Sequence, residues 1–197
     1  MREFIKLVLI GLIVWVGFES HAGEIELQEY DVLSDVISQK YIRAGVSVIV
    51  MLSATQCCMP PLEKPNPNWS LQPYSELKRQ SPDLLSETLD DFKVKNASKK
   101  TLKNRFSLSS ERVLLSRDQL KNLIPDACCG WKSFYKRYPT APGIITVSRV
   151  GFNHQKNQAL VYVGNQKQSR EGLGVLYILV KTENSWIIQQ ELEMWES

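Results

Sequence analysis

The chain has 197 residues, 43% of them hydrophobic and 23% charged, with a net charge of +3. Those proportions suit one globular domain and exclude a disordered or fibrous chain. A charge this mild does not by itself imply nucleic acid, and no nucleic-acid partner is expected.

The chain opens with Arg2 and Lys6, followed by an unbroken apolar run over residues 7–18, LVLIGLIVWVGF. Ser20 and Ala22 put small residues at the −3 and −1 positions of a cut before Gly23. This is the layout of a secretory signal peptide. Residues 1–22 are read as the leader and residues 23–197 as one exported α+β domain, periplasmic or secreted. A retained anchor is the rival. Twelve apolar residues rise about 18 Å as a helix, against a hydrocarbon core of about 30 Å. No stable membrane span is therefore expected after cleavage.

Residues 27–43 are predicted to form a helix, because Tyr30, Leu33, Ile37 and Tyr41 recur at spacings of three and four. Ala44-Gly45 ends it. Residues 46–52, VSVIVML, read as one buried strand. Residues 59–82 hold six of the nine prolines and are expected to be a long loop without regular helix. Trp69 and Tyr74 either pin that loop to the body or are offered to a partner. A strap folded over the core is the preferred reading. Residues 84–92 are predicted helical, with Asp83 as the cap. A basic stretch runs from Lys93 through Lys95, Lys99, Lys100 and Lys103 to Arg105. It lacks interleaved aromatics and follows several acids, so a solvated charged face is expected. A brief strand over 113–116 leads into a capping box, Ser116 with Gln119, that opens a helix ended by Pro125. Residues 131–138 form another short helix, closed by Pro139.

The C-terminal part carries four β-rich runs, at 143–152, 158–164, 173–181 and 185–195. Their links are short, which predicts a four-stranded antiparallel meander with helices packed on its apolar face and one additional N-terminal strand. In the last run Trp186, Ile188, Leu192 and Met194 are expected to share a face.

The cysteines form two adjacent pairs, Cys57-Cys58 and Cys128-Cys129. In an oxidising compartment an even count reads as disulfides. Adjacent cysteines rarely bond to each other, so bridges from the first pair to the second are expected. Zinc ligands are normally spaced as C-x₂₋₄-C, so no metal site is expected here.

Three stretches resemble an uncharacterised family of bacterial exported proteins. They are residues 30–55, from YDVLSDVISQKYI to VSVIVMLSAT; residues 91–108; and residues 131–166, with SRVGFN and ALVYV inside and a final Trp-x-Ser. The resemblance implies an exported protein with no agreed activity, so no catalytic residue is carried over. The cysteine pairs and the proline-rich insertion depart from the family's pattern.

No catalytic constellation emerges from the residues. Cleavage removes His21, leaving His154 in the turn NHQKN, where a histidine is a solvated surface residue. No phosphate-cradling glycine motif occurs, and Gly172-Leu173-Gly174 opens a strand. Asp90, Asp91, Glu111, Asp118 and Asp126 are scattered acids with nothing to pair them for hydrolysis. No cofactor is expected. Arg149 is the first residue to test. Strand parity puts it on one face with Gly151 and Asn153. On a solvated face it is an ordinary outward arginine; in a cavity its planar donors hold a carboxylate or phosphate. Tyr162 and Tyr177, on neighbouring strands, could line the same surface. The sequence thus predicts a non-enzymatic exported domain binding a protein or envelope component. The alternatives are a hydrolase or small-ligand binder with a pocket between helices and sheet, and a protective partner of a secreted protein.

Overall fold

A computed structural model describes residues 23–58, 74–126 and 130–197, the side chains of residues 74 and 75 excepted. One mixed sheet of seven strands organises them. Strand β1 (Val48–Leu52) runs parallel to β2 (Glu111–Leu115) on one side and to β3 (Ile144–Val147) on the other. From β3 the sheet continues antiparallel through β5 (Gln158–Gln168), β6 (Glu171–Lys181) and β7 (Trp186–Glu196). The short β4 (Gly151–Phe152) pairs with β5.

The α+β class stands. The four-stranded meander with one added strand does not, because β1 and β2 extend the sheet as a parallel pair and the run over 143–152 splits in two. The split has a local cause. The Ser148 hydroxyl accepts the Tyr162 N–H at 2.9 Å. The Arg149 backbone then turns to Asn96, whose side chain accepts its N–H at 2.8 Å and donates to its carbonyl at 3.0 Å. An asparagine side chain thus takes over the ladder for one residue, and the expected strand parity of Arg149 with Gly151 is lost.

Helix α1 (Leu27–Tyr41) covers one face of the sheet, packing Val32, Leu33, Val36 and Ile37 against Ile49, Met51, Val147 and Val161. The other face carries two clusters. Helices α2 (Tyr74–Gln80) and α3 (Ser86–Lys95) place Leu77, Leu89 and Phe92 over Leu160, Tyr162 and Leu176. Helices α4 (Arg117–Leu123) and α5 (Gly130–Arg137) place Leu120, Trp131 and Phe134 over Val48, Val50 and Ile144. Helices therefore cover both faces, not one. That is why β1 and most of β5 are continuously buried.

Further expectations are corrected. The proline-rich stretch contains α2, which fits between Pro73 and Pro82 with no proline inside it. Asp83 does not cap α3. The side chain of Gln158, on β5, accepts the Leu85 N–H at 2.8 Å instead, and its amide donates to the Asp83 carbonyl at 2.9 Å. The link expected over 165–172 is mostly strand, since the backbone ladder continues through polar residues that give no apolar signal. In β7 two register shifts break the expected single face, so that Trp186 and Ile188 join the α1 side while Leu192 and Trp195 join the other. The Ser116–Gln119 capping box forms as predicted, with bonds of 2.8 and 3.1 Å.

The Cys57 and Cys58 sulfurs are bonded to each other, at 2.12 Å. This replaces the expected bridge from the first cysteine pair to the second at both of these positions. Cys58 has φ 66°, a left-handed backbone that a non-glycine residue rarely takes. Cys128 and Cys129 lie outside the described residues, as do residues 1–22, expected to be the leader, and Trp69.

Candidate functional site

Arg149 is neither outward nor at a cavity. Its side chain is 1% exposed and faces the Glu29 carboxylate, which is fully buried. The guanidinium Nε donates to both carboxylate oxygens at 2.8 and 3.1 Å, and Nη2 donates to one of them at 2.5 Å. The remaining donors turn toward the Gly23 and Glu24 carbonyls, at 3.4 and 3.5 Å. Glu29 also accepts the Val150 and Glu26 backbone N–H groups, at 2.9 and 3.1 Å. Burial alone would lower the Arg149 pKa, but the Glu29 carboxylate outweighs it and the net shift is upward. Arg149 does hold a carboxylate, but one supplied by its own chain.

The other sequence candidates separate. Asn153 is a turn brace: its Oδ1 accepts the Asn157 and Gln158 N–H groups at 3.0 and 2.9 Å, and its amide donates to Gln155 and Asn157. Tyr162 and Tyr177 do not share a surface, because β5–β6 register sets Tyr162 opposite Leu176 and Val161 opposite Tyr177. Tyr162 is buried under α3, where its hydroxyl accepts the Trp195 indole N–H at 2.8 Å. Tyr177 lies on the α1 face. Trp69 and the Tyr74 side chain lie outside what the structure describes. His154 is solvated as expected, 83% exposed, with Nδ1 3.0 Å from Glu87. Half of the basic stretch is paired: Lys93 meets Asp90 at 2.9 Å, Lys95 meets Asp91 at 3.0 Å, and Lys103 meets Glu24; Lys95 is buried, so the expected solvated face does not hold there.

Tyr177 lines a cleft of about 570 Å³ at the C-terminal end of α1. This size is typical of small-molecule sites. Val46 and Pro142, which precede β1 and β3, border it beside the β5–β6 hairpin and the end of β7. Tyr41 and Tyr177 both line it, close enough for each phenol to perturb the other. Burial raises the pKa of both hydroxyls, so both stay protonated at neutral pH. A protonated phenol can donate to a ligand oxygen.

Charges of both signs rim the cleft. Lys40 pairs with Glu191 at 2.7 Å, and Lys167 pairs with Glu171 at 3.1 Å. Arg43 and Glu196 also line it, and neither is in an ion pair with a described residue. Asn165 lines one wall, 6% exposed, and its Oδ1 has no hydrogen-bond partner. Gly143 makes room for that oxygen: a Cβ there would sit 2.4 Å from it, and φ is +131°.

Sequence reasoning missed Glu29, although a signal was present. Glu29 precedes Leu33 and Ile37 by four and eight residues, so an acid stands on the apolar stripe of the helix and needs a buried partner. It also missed Asn96 and Arg43, which carry no local signal, and read Tyr41 only as part of the helix's apolar stripe. Among the described residues, no three His, Cys, Asp or Glu side chains are grouped to hold a metal ion. No helix among them is long and apolar enough to cross a membrane. Searches of family models, curated proteins and solved structures found no match to the chain.

Proposed function

We propose that this protein is an exported, non-enzymatic binding domain that holds a small zwitterionic ligand, an amino acid or short peptide with free ends, in the cleft at the end of α1. The reading combines the expected export with a pocket between helix and sheet. One observation carries it: Arg43 and Glu196, charges of opposite sign without ion-pair partners among the described residues, line the same cleft as the protonated Tyr41–Tyr177 pair. An arginine fork suits a carboxylate, a glutamate suits an ammonium, and a phenol proton suits a carbonyl oxygen.

Isothermal titration with unblocked dipeptides, and with the same dipeptides acetylated and amidated, tests the assignment. Unblocked forms should bind, and Arg43→Ala should weaken them about tenfold. Equal binding of blocked forms, or indifference to Arg43→Ala, would remove the zwitterion reading. Export is tested separately, by N-terminal sequencing of protein recovered from the cell envelope. The expected first residue is Gly23; a start at Met1 in a cytoplasmic fraction would sink that half.

A further inference from the structure

Strand register sets one side of the cleft at the end of α1. Asn165 on β5 stands opposite Leu173 on β6, and Leu173 stands opposite Glu196 on β7. Residues paired directly across antiparallel strands put their side chains on one face, with Cα atoms about 4.5–5.5 Å apart. Asn165, Leu173 and Glu196 therefore form one row across three strands, and all three line the cleft. A reciprocal backbone pair holds the end of the row. The Gly172 N–H donates to the Ser197 carbonyl at 3.2 Å, and the Ser197 N–H to the Gly172 carbonyl at 3.1 Å.

Leu173 is half-buried. It packs on the α1 side of the core and also borders the cleft. Two further apolar residues, Val46 and Pro142, line the same space. Val46 is likewise half-buried against the core. Its N–H donates to the Arg43 carbonyl at 3.0 Å, in a turn where Gly45 takes φ +91°. Its carbonyl accepts the Ser110 hydroxyl at 3.0 Å. The Pro142 carbonyl accepts the Asn165 amide at 3.2 Å. The apolar lining is thus tied to the backbone from several sides and is formed in advance of any ligand.

The charges differ in how closely they are tied to that lining. Glu196 is exposed and has Leu173 beside it in register. Arg43 is exposed too, but its long side chain carries the guanidinium away from the turn it shares with Val46.

We infer that the cleft selects ligands whose ammonium-bearing residue has a bulky apolar side chain, with Leu173 as the specificity-determining residue. This rests on the zwitterion reading above. In an amino acid the ammonium and the side chain leave the same carbon. An ammonium seated on Glu196 therefore brings that side chain onto the neighbouring Leu173, and both apolar surfaces leave water together. A glycine there leaves Leu173 wet, and a charged side chain loses hydration without a partner. The order of residues in a dipeptide then matters: Leu-Gly carries its leucine at the ammonium end, Gly-Leu at the carboxylate end.

Isothermal titration of the unaltered protein with Gly-Gly, Gly-Leu and Leu-Gly, all unblocked, tests this. Leu-Gly should bind at least about tenfold tighter than Gly-Gly, and tighter than Gly-Leu. Leu173→Ser should cut the advantage of Leu-Gly over Gly-Gly to about threefold or less. The ligand series on the unaltered protein decides the matter even where that variant fails to fold. Equal affinity for the three dipeptides, or Gly-Leu binding tighter than Leu-Gly, would overturn the role of Leu173 and leave the zwitterion reading standing. No binding of any of the three would overturn both.

Discussion

The two ends of α1 use the same chemistry to opposite effect. At the N-terminal end, Glu29 and Arg149 are 0% and 1% exposed, and the pair is enclosed by backbone partners on both sides. At the C-terminal end, Lys40 and Glu191 are 31% and 43% exposed on the rim of a cleft. A buried ion pair carries a desolvation cost that its own hydrogen bonds must offset, so Nε and both terminal nitrogens of Arg149 turn to acceptors inside the fold. An exposed pair is worth little to stability and keeps its groups available to a ligand. Burial, not residue type, makes Arg149 a clamp and leaves Arg43 exposed at the lip of a cleft.

Breaking the clamp should have the largest effect. Glu29→Ala leaves a buried guanidinium unpaired and the Val150 N–H without its acceptor, and should cost about 3–5 kcal/mol. Thermal unfolding should fall by roughly 10 °C for a chain of this size. An unchanged melting temperature would mean that the clamp is open in solution. The double change Glu29→Leu with Arg149→Met should recover part of the loss and not all of it, because Val150 N–H and Glu26 N–H still lack partners.

Asn96→Ala sharpens the comparison one step away from the charges. It removes both hydrogen bonds to the Arg149 backbone and should cost about 1–3 kcal/mol, read by chemical denaturation. Gly151→Ala tests the same neighbourhood by volume. A Cβ there would lie 2.5 Å from the Phe92 Cβ, the Phe92 nitrogen and the Thr88 carbonyl oxygen, so α3 must be pushed off β4. Overpacking of this kind costs about 1–3 kcal/mol.

At the open end, Lys40→Ala should change stability by less than about 1 kcal/mol, since its partner stays hydrated. A loss as large as that of Glu29→Ala would erase the distinction between the two ends.

The smallest effect is a pH dependence in the middle of α1. Burial is the main cause that raises the Asp35 pKa above its ordinary value of 3.8, against the opposing Trp186 N–H bond of 2.7 Å. A raised carboxyl pKa means that folding favours the protonated form. Its contribution is therefore full below the unfolded pKa and is lost as pH rises through the folded one. Asp35→Asn keeps an acceptor for Trp186 N–H and should raise thermal stability slightly at neutral pH. The gain should vanish in acid below the ordinary carboxyl range. A gain that persists there would assign it to something other than charge.

Much of the fold was legible locally. The α1 stripe, the apolar run of β1, the Ser116 capping box and the prolines that end α4 and α5 all act within a few residues, where period, sterics and capping decide the outcome. The same range explains why His154 was placed correctly in a solvated turn. The position of β2 was not legible, because five residues of mixed polarity do not say which edge they join. Nor was the broken face of β7, because a bulge is a property of two paired strands and not of one.

The site residues follow the same division. The sequence alone determined which chemical groups the chain owns: one arginine in a β-rich run, an acid on an apolar helical stripe, and a basic stretch with acids before it. Only the tertiary structure decided which of those groups neutralise one another. Glu29 and Arg149 are 120 residues apart, and the Lys40–Glu191 pair is separated by 151. Charges so far apart in the chain are matched by how the sheet and helices stack, through burial and distance, and neither quantity is written in a residue's neighbours along the chain.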